Sequence, residues 1–383
     1  MQRQLSLFEG ERLHLDGAIE LSLASLTEYG RRYRHWAVAY SGGKDSSATV
    51  TFIAWALKAR LVPRPESLTV LYADTRMEIP PLQHTAMRLL ASLRADGFNT
   101  QVVLPALDCR FFVYMLGRGV PPPSNTFRWC TARLKIEPMM ADLADLREVS
   151  GEKLLMLTGV RIGESAVRDQ RIAMSCSRDS GECGQGWFQI ATDDAIADTL
   201  APLLRWRLCH VYDWIYLDDR HGYDVSDIAA VYGEAEVRTG CVGCNLASHD
   251  TALERLLMHP EWEHLQPLLE LRALYAELKR PRWRKRKARP ERRQDGRWSK
   301  NVQRMGPLTM QGRAHGLERV LDIQARAGVD LIDADEETRI RDLWALDTWP
   351  EKWSADDIAA DVPIDAMSRT ADDQIVVQAL LMH

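Results

Sequence analysis

Between about residue 36 and residue 232 the chain alternates short apolar runs with longer stretches whose apolar residues recur every three or four positions. Trp36 to Tyr40, Leu68 to Ala73, Thr100 to Leu104 and Leu154 to Thr158 are short, apolar and bounded by turn residues, which predicts buried strands. Ser46 to Arg60, Leu82 to Ala95, Cys109 to Leu116 and Ala132 to Arg147 carry helical spacing. This repetition predicts an α/β fold with a doubly wound, mostly parallel sheet and ligands at the carboxyl ends of its strands. Pro121, Pro122 and Pro123 predict a loop over one end of the sheet, and the glycines between Gly159 and Gly186 predict another irregular stretch. Past Tyr232 the pattern turns helical, and from Leu317 it is helical and acidic. The expected order is a leader over 1–35, the α/β domain over 36–235, a segment over 236–305 and a helical acidic extension over 306–383.

The 383 residues are 46% hydrophobic and 27% charged, which excludes collagen-like, coiled-coil and wholly disordered chains. No apolar run approaches the roughly 18 residues a membrane span needs, and the first residues lack a signal-peptide core. A cytoplasmic protein with no membrane partner is the expectation. Seven cysteines, an odd number, then argue for metal or sulfur chemistry over a disulfide framework. The net charge of −5 hides an asymmetry, because Lys279 to Arg293 holds ten basic residues and one acid, leaving −14 for the rest.

The first predicted strand ends in Ser41-Gly42-Gly43-Lys44-Asp45-Ser46-Ser47 and runs straight into a helix. Paired glycines let backbone N–H groups turn toward an anion, the serines add hydroxyls, Lys44 adds charge, and the helix amino end adds its dipole. This is a phosphate cradle, distinct from GxxxxGK[ST] because Lys44 follows the glycine pair directly. Asp45 and Asp74 are candidate Mg²⁺ ligands, with helix capping the alternative for Asp45. Arg128, Lys135, Arg161, Arg168 and Arg171 fall near predicted strand ends and are candidate phosphate-holding cations.

SGGKDS resembles the PP-loop of ATP pyrophosphatases, adenine nucleotide α-hydrolase-like proteins that cleave ATP between its α and β phosphates. Leu71 to Thr75 with Glu78, Arg128-Trp129-Cys130-Thr131 with Leu134 to Pro138, Gly159-Val160-Arg161 with Glu164-Ser165, and Pro202 with Trp206, Val211 and Trp214 resemble the phosphoadenosine phosphosulfate (PAPS) reductase branch. Within it the chain is similar to DndC- and SspD-type proteins of bacterial DNA phosphorothioation, a defence system in which sulfur replaces a non-bridging backbone oxygen. The resemblance implies an ATP-binding PP-loop domain that acts as a sulfurtransferase component, with ATP on Ser41, Gly42, Gly43, Lys44, Asp45, Ser46, Ser47 and Asp74. It also implies catalytic roles for Lys44, Asp45, Arg161 and Cys130. The implied partners are a cysteine desulfurase as sulfur donor, double-stranded DNA and other phosphorothioation proteins. Activation of a DNA phosphate by adenylylation would precede thiolation. A PAPS or adenylyl-sulfate reductase, thiolation of tRNA, and a nucleotide-gated scaffold are the alternatives. The absence of any cysteine after Cys244 disfavours the reductase.

Cys241-Val242-Gly243-Cys244 can supply two corners of a metal site, and Cys176 with Cys183 forms a second pair in a Gly- and Ser-rich stretch. The four suit a [4Fe-4S] cluster or zinc, with Cys130 the alternative fourth ligand. Cys130 is equally a candidate sulfur-accepting thiol, since Arg128, Arg133 and Lys135 would favour its thiolate. Cys109 and Cys209 read as buried small hydrophobes. The basic run, with Trp283 and Trp298 in or beside it, is expected to bind the DNA backbone through phosphate contacts and indole stacking, or to dock an acidic partner.

Overall fold

The computed structural model describes residues 13–164, 169–170, 181–182, 187–189, 195–233, 240–246, 249–293 and 295–380. They fall into two units that interleave along the chain: Met1–Asp74, Pro80–Val103 and Pro138–Thr239 form one, while Thr75–Ile79, Leu104–Glu137 and Gly240–His383 form the other. The sequence divides the chain in linear order, whereas the fold lends 75–79 and 104–137 to the C-terminal unit.

In the first unit the apolar runs become strands β1 (His35–Tyr40), β2 (Ser67–Ala73), β3 (Asn99–Val103) and β4 (Leu154–Leu157). They are followed by β5 (Gly181–Glu182), β6 (Trp187–Gln189) and β7 (Ala197–Ala201). The sheet order is β3-β2-β1-β4-β7-β6-β5. The first five of that order pair in parallel, and β6 and β5 add an antiparallel edge. Trp36 of β1 lies opposite Leu68 on one side and Leu155 on the other. Strands covered on both faces read as unbroken apolar runs, which is why their sequence signal is clear.

Helices α1 (Leu15–Gly30), α2 (Lys44–Lys58), α3 (Pro80–Ala95) and α4 (Glu137–Ser150) supply that cover. Ala37, Leu71, Val103 and Leu154 pack with Leu143 of α4, with Met139 and Leu146 alongside. Phe52 and Trp55 of α2 meet Trp214, and Phe52 meets Trp206, at ring separations of 5.4 to 5.5 Å. The buried indoles are satisfied: Trp206 donates to Ser22 Oγ at 2.9 Å and Trp214 to Thr51 Oγ1 at 3.0 Å. Burying one such side chain contributes about 1.5–3 kcal/mol, so this packing fixes the strand ends firmly.

The second unit holds α5 (Thr251–Leu256), α6 (Glu270–Leu278), α7 (Met310–Ala327) and α8 (Ala334–Ala345). Leu271, Leu274, Leu278, Leu317, Val320, Ile323, Ile340 and Leu343 are buried in it. The expected helix at Cys109–Leu116 is instead a 3₁₀ turn, Leu107–Cys109, and a wide π turn, Val113–Gly117.

The extension expected to be helical over 306–383 carries the helices α7 and α8 and short strands as well. Strands β8 (Arg284–Arg286), β9 (Met305–Leu308) and β10 (Ile358–Ala359) form an antiparallel sheet in the order β10-β8-β9, and β11 (Ala366–Arg369) and β12 (Ile375–Gln378) form a hairpin. Part of the acidic tail is paired internally. Asp333 and Glu336 cap α8 reciprocally, and Arg76 bridges to both at 3.1 and 3.2 Å. No helix among the described residues is long and apolar enough to cross a membrane.

Candidate functional site

The loop after β1 turns at Gly42, whose φ of +74° is a conformation side chains rarely adopt, and Gly43 caps α2 in extended geometry. No side chain caps this helix, so the loop leaves its amino end to an anion. Ser46 Oγ instead stabilises the loop, donating to Gly43 O at 3.0 Å and accepting from Ser41 N–H at 3.2 Å. Ser47 Oγ is buried and donates to Tyr40 Oη at 3.3 Å.

Asp45 sits between two cations. Lys44 Nζ lies 3.0 Å from Asp45 Oδ2, and Arg161 Nε donates to Asp45 Oδ1 at 2.6 Å. Arg161, only 5% exposed, also donates through Nη1 to Trp206 O at 3.1 Å. Lys44 Nζ stands 4.9 Å from the centre of the Tyr232 ring. Asp74, at the end of β2, accepts from Gln83 Nε2 at 3.2 Å, and its N–H bonds Val103 O at 3.1 Å. Lys44, Asp74 and Arg161 therefore follow β1, β2 and β4 at one carboxyl edge of the parallel sheet.

One expectation changes. Asp45 does not cap α2; its two carboxylate oxygens are engaged by Lys44 and Arg161. Its role is to hold Lys44 and Arg161 together. The contacts of the Trp206 carbonyl, the Tyr232 ring and the Gln83 amide were not foreseen, because a main-chain carbonyl, a ring face and a helix amide leave no motif of their own.

The CxxC turn belongs to the second unit and is held by four other segments. Val242 N–H donates to Met77 O at 2.7 Å, while Glu78 closes the turn carrying Met77 by accepting from Thr75 Oγ1 at 2.6 Å and Met77 N–H at 3.2 Å. Gly243 N–H bonds the Asp250 carboxylate that caps α5. Arg272 of α6 donates to Cys244 O, and Asn245 Nδ2 donates to Pro123 O at 3.1 Å. Gly243 has φ +65°, and a Cβ there would lie 2.6 Å from Leu271 Cβ and 3.4 Å from Tyr275 Cε2.

Cys130, Cys241 and Cys244 lie within one another's electrostatic field. Burial pushes the Cys241 thiol up to about 11, with Lys135 opposing the rise and Glu78 adding to it. Burial also pushes the Cys130 thiol up, with Cys244 adding to the rise. The expectation that nearby basic residues make Cys130 a thiolate is corrected: Arg133 pairs with Glu137 at 2.8 Å and Arg128 donates to Asn125 at 2.9 Å.

Among the described residues no group of three or more His, Cys, Asp or Glu is placed to hold a metal ion. The three thiols thus share a field but not one ion's coordination sphere. Cys176 and Cys183 lie outside the described residues, as do Arg168 and Arg171. Cys241 and Cys244 would supply two thiol ligands, and the buried Tyr275 hydroxyl, in the field of both, has no hydrogen-bond partner among the described residues. Of the two cysteines read as buried, Cys109 is partly exposed and Cys209 exposed.

The basic run is not a free arm. Arg284 and Lys285 are 8% and 7% exposed in β8. Arg284 Nε donates to Gly306 O at 2.5 Å, and Lys285 Nζ to Ala355 O and Asp357 O at 2.7 and 2.6 Å. Arg286 donates to Val362 O, and Lys287 pairs with Asp357 at 3.0 Å. Trp283 stacks on His315 with ring centres 4.7 Å apart, and Arg292 covers Trp298 at 4.0 Å. The central cations of the expected DNA-binding segment are internal cross-links. Arg280, Arg282, Arg289, Arg292 and Arg293 keep exposed positions.

The loop after β1, an acid at the end of β2 and a buried arginine after β4 stand at one carboxyl edge of a mostly parallel α/β sheet. The chain belongs to the phosphoadenosine phosphosulfate reductase domain family, whose model matches residues 35–246. It is 25% identical over 223 residues to an uncharacterised protein of Methanocaldococcus jannaschii, covering 58% of this chain and 44% of that protein. The chain thus spans less than half the length of that relative.

Solved structures similar to it include a phosphoadenylyl-sulfate reductase from Candida auris in a phosphate complex, with TM-score 0.34 and 12% identity over 53% of this chain and 84% of that one. Another is the U34-tRNA thiolase NcsA from Methanococcus maripaludis with its [4Fe-4S] cluster, with TM-score 0.34 and 12% identity over 69% of this chain and 79% of that one.

Proposed function

We propose that this chain is an ATP pyrophosphatase that activates a DNA backbone phosphate by adenylylation for sulfur incorporation. One observation carries the ATP chemistry: Asp45 clamps Lys44 and Arg161 beside an uncapped helix amino end at the carboxyl edge of the sheet. Loop N–H groups bind phosphate oxygens, and the two cations, pre-oriented by a shared carboxylate, oppose the charge that develops on the leaving pyrophosphate. An acceptor oxygen forms a bond to the α phosphorus as the bond to pyrophosphate breaks. A sulfur nucleophile at the oxidation level of sulfide then displaces AMP, which leaves with that oxygen. Cys241 and Cys244 would help hold an iron-sulfur centre, which supplies a soft site for sulfur when bound.

DNA is the acceptor favoured by the similarity to phosphorothioation proteins, and tRNA thiolation and sulfonucleotide reduction are the competing outcomes. Support for DNA from the basic run is confined to its exposed arginines. Pyrophosphate release measured alone, with duplex DNA, with tRNA and with adenylyl sulfate separates them. Stimulation by duplex DNA together with sulfur recovered in the DNA backbone is expected; stimulation by tRNA alone transfers the assignment to tRNA.

A further inference from the structure

We infer that the Tyr232 hydroxyl is a further phosphate-binding group of the nucleotide loop, donating its proton to an oxygen of the polyphosphate that settles at the amino end of α2. This rests on the reading of the loop as an ATP site, and it adds to that site a residue from outside the loop.

Gly43 shows where the hydroxyl stands. Its φ of −83° and ψ of 163° are extended backbone open to any residue, so conformation alone does not call for glycine there. Space does. A Cβ at Gly43 would lie 2.9 Å from Tyr232 Oη, closer than packed atoms stand, and 3.7 Å from Ser41 Oγ. Gly43 is also the cap position of α2, which no side chain caps. The short helix Asp227–Tyr232 therefore delivers a phenol oxygen to the place where a capping side chain would begin, beside N–H groups that favour an anion.

The phenol is held in that position. Tyr232 is 3% exposed, and Lys44 Nζ stands 4.9 Å from the centre of its ring, a cation against a ring face. One side chain thus orients Lys44 with its ring and brings an O–H to the loop at its tip. The serine protons of the loop are spent within the fold. Ser46 Oγ donates to Gly43 O and Ser47 Oγ to Tyr40 Oη. Ser46 has no second proton, so Ser41 Oγ is the donor across the 3.1 Å to Ser46 Oγ. Tyr232 is the hydroxyl brought to the loop from elsewhere in the chain. A neutral O–H suits the task, because it meets a phosphate oxygen without burying a third cation beside Lys44 and Arg161.

The test is equilibrium binding of ATP and of inorganic pyrophosphate to the full chain and to Tyr232→Phe, which removes one O–H and keeps the ring against Lys44. The variant should bind both ligands about tenfold more weakly, the effect of losing one hydrogen bond to a charged group. Without ligand it should melt within a few degrees of wild type. Gly43→Ala checks the geometry: its Cβ collides with Oη, so it should cost less stability in the Tyr232→Phe chain than in wild type. A lower unliganded melting temperature at unchanged affinity would make Tyr232 a packing residue and overturn the inference, as would an equal cost of Gly43→Ala in the two chains. Unchanged affinity in Tyr232→Phe overturns this inference alone, whereas a wild-type chain that binds neither ATP nor pyrophosphate overturns it together with the ATP reading.

Discussion

The nucleotide loop and the cysteine turn both bend at a glycine of left-handed φ, Gly42 at +74° and Gly243 at +65°, yet they are built in opposite ways. The first is almost wholly its own backbone, seven consecutive residues closed by one distant arginine. The second makes few bonds to itself and hangs on Met77, Asp250, Arg272 and Pro123. A site of the first kind can lose a side chain and keep its shape. One of the second kind depends on the packing around it.

The largest effect should come at the self-contained site without harm to the fold. Lys44→Ala should lower pyrophosphate release at least about 100-fold, the loss typical of removing one stabilising donor from a reacting centre. Its melting temperature should stay within a few degrees, because Arg161 still holds Asp45. Loss of folding along with activity would make the two regions alike and break the comparison.

The glycines sharpen it. Gly243→Ala meets both an unfavourable φ and a Cβ placed 2.6 Å from Leu271 Cβ, so urea unfolding should show a loss of about 3 kcal/mol or more. Gly42→Ala meets the φ penalty alone, since its nearest contact would be 3.4 Å, and should lose only about 1–2 kcal/mol while weakening ATP binding. Equal losses at the two positions would show that the cysteine turn yields more readily than its packing implies.

These contrasts also explain what the sequence disclosed. Four strands, their parallel pairing and the turn from Ser41 to Ser47 into a helix were legible because period, composition and contiguous spacing encode them. The pairing of Asp45 with Arg161 was not, since 116 positions separate them and either residue alone suits a metal or a phosphate. The supports of the CxxC turn were equally hidden, being a carbonyl, a helix cap and a helix arginine. The basic run misled for a different reason: composition records its charge, but only the fold shows Arg284 and Lys285 facing carbonyls inside a sheet.

Lys285→Ala should therefore cost about 1–3 kcal/mol of stability, as a buried network losing its donor does, and leave the salt dependence of DNA binding unchanged. A flatter salt slope at wild-type stability would restore the run as a phosphate-binding arm.

The smallest expected effect is at Asp108. Hydrogen bonds from Arg339, opposed by burial and aided by Arg118, hold its carboxyl at about 2. A carboxyl lowered on folding stabilises above its unfolded value of about 3.9, and that contribution is lost as pH falls toward 2. Asp108→Asn should then cost up to about 1 kcal/mol at pH 7, with the deficit shrinking below about pH 4 in urea unfolding. A deficit independent of pH would mean that shape, not charge, is what Asp108 supplies.

The central claim is that the clamp of Lys44, Asp45 and Arg161 directs cleavage between the α and β phosphates. It is tested most directly by identifying the products from ATP labelled separately at the α and γ positions and incubated with the full chain and candidate acceptors. The account predicts label in AMP and in pyrophosphate, both lost in Lys44→Ala; label in ADP and orthophosphate would contradict it.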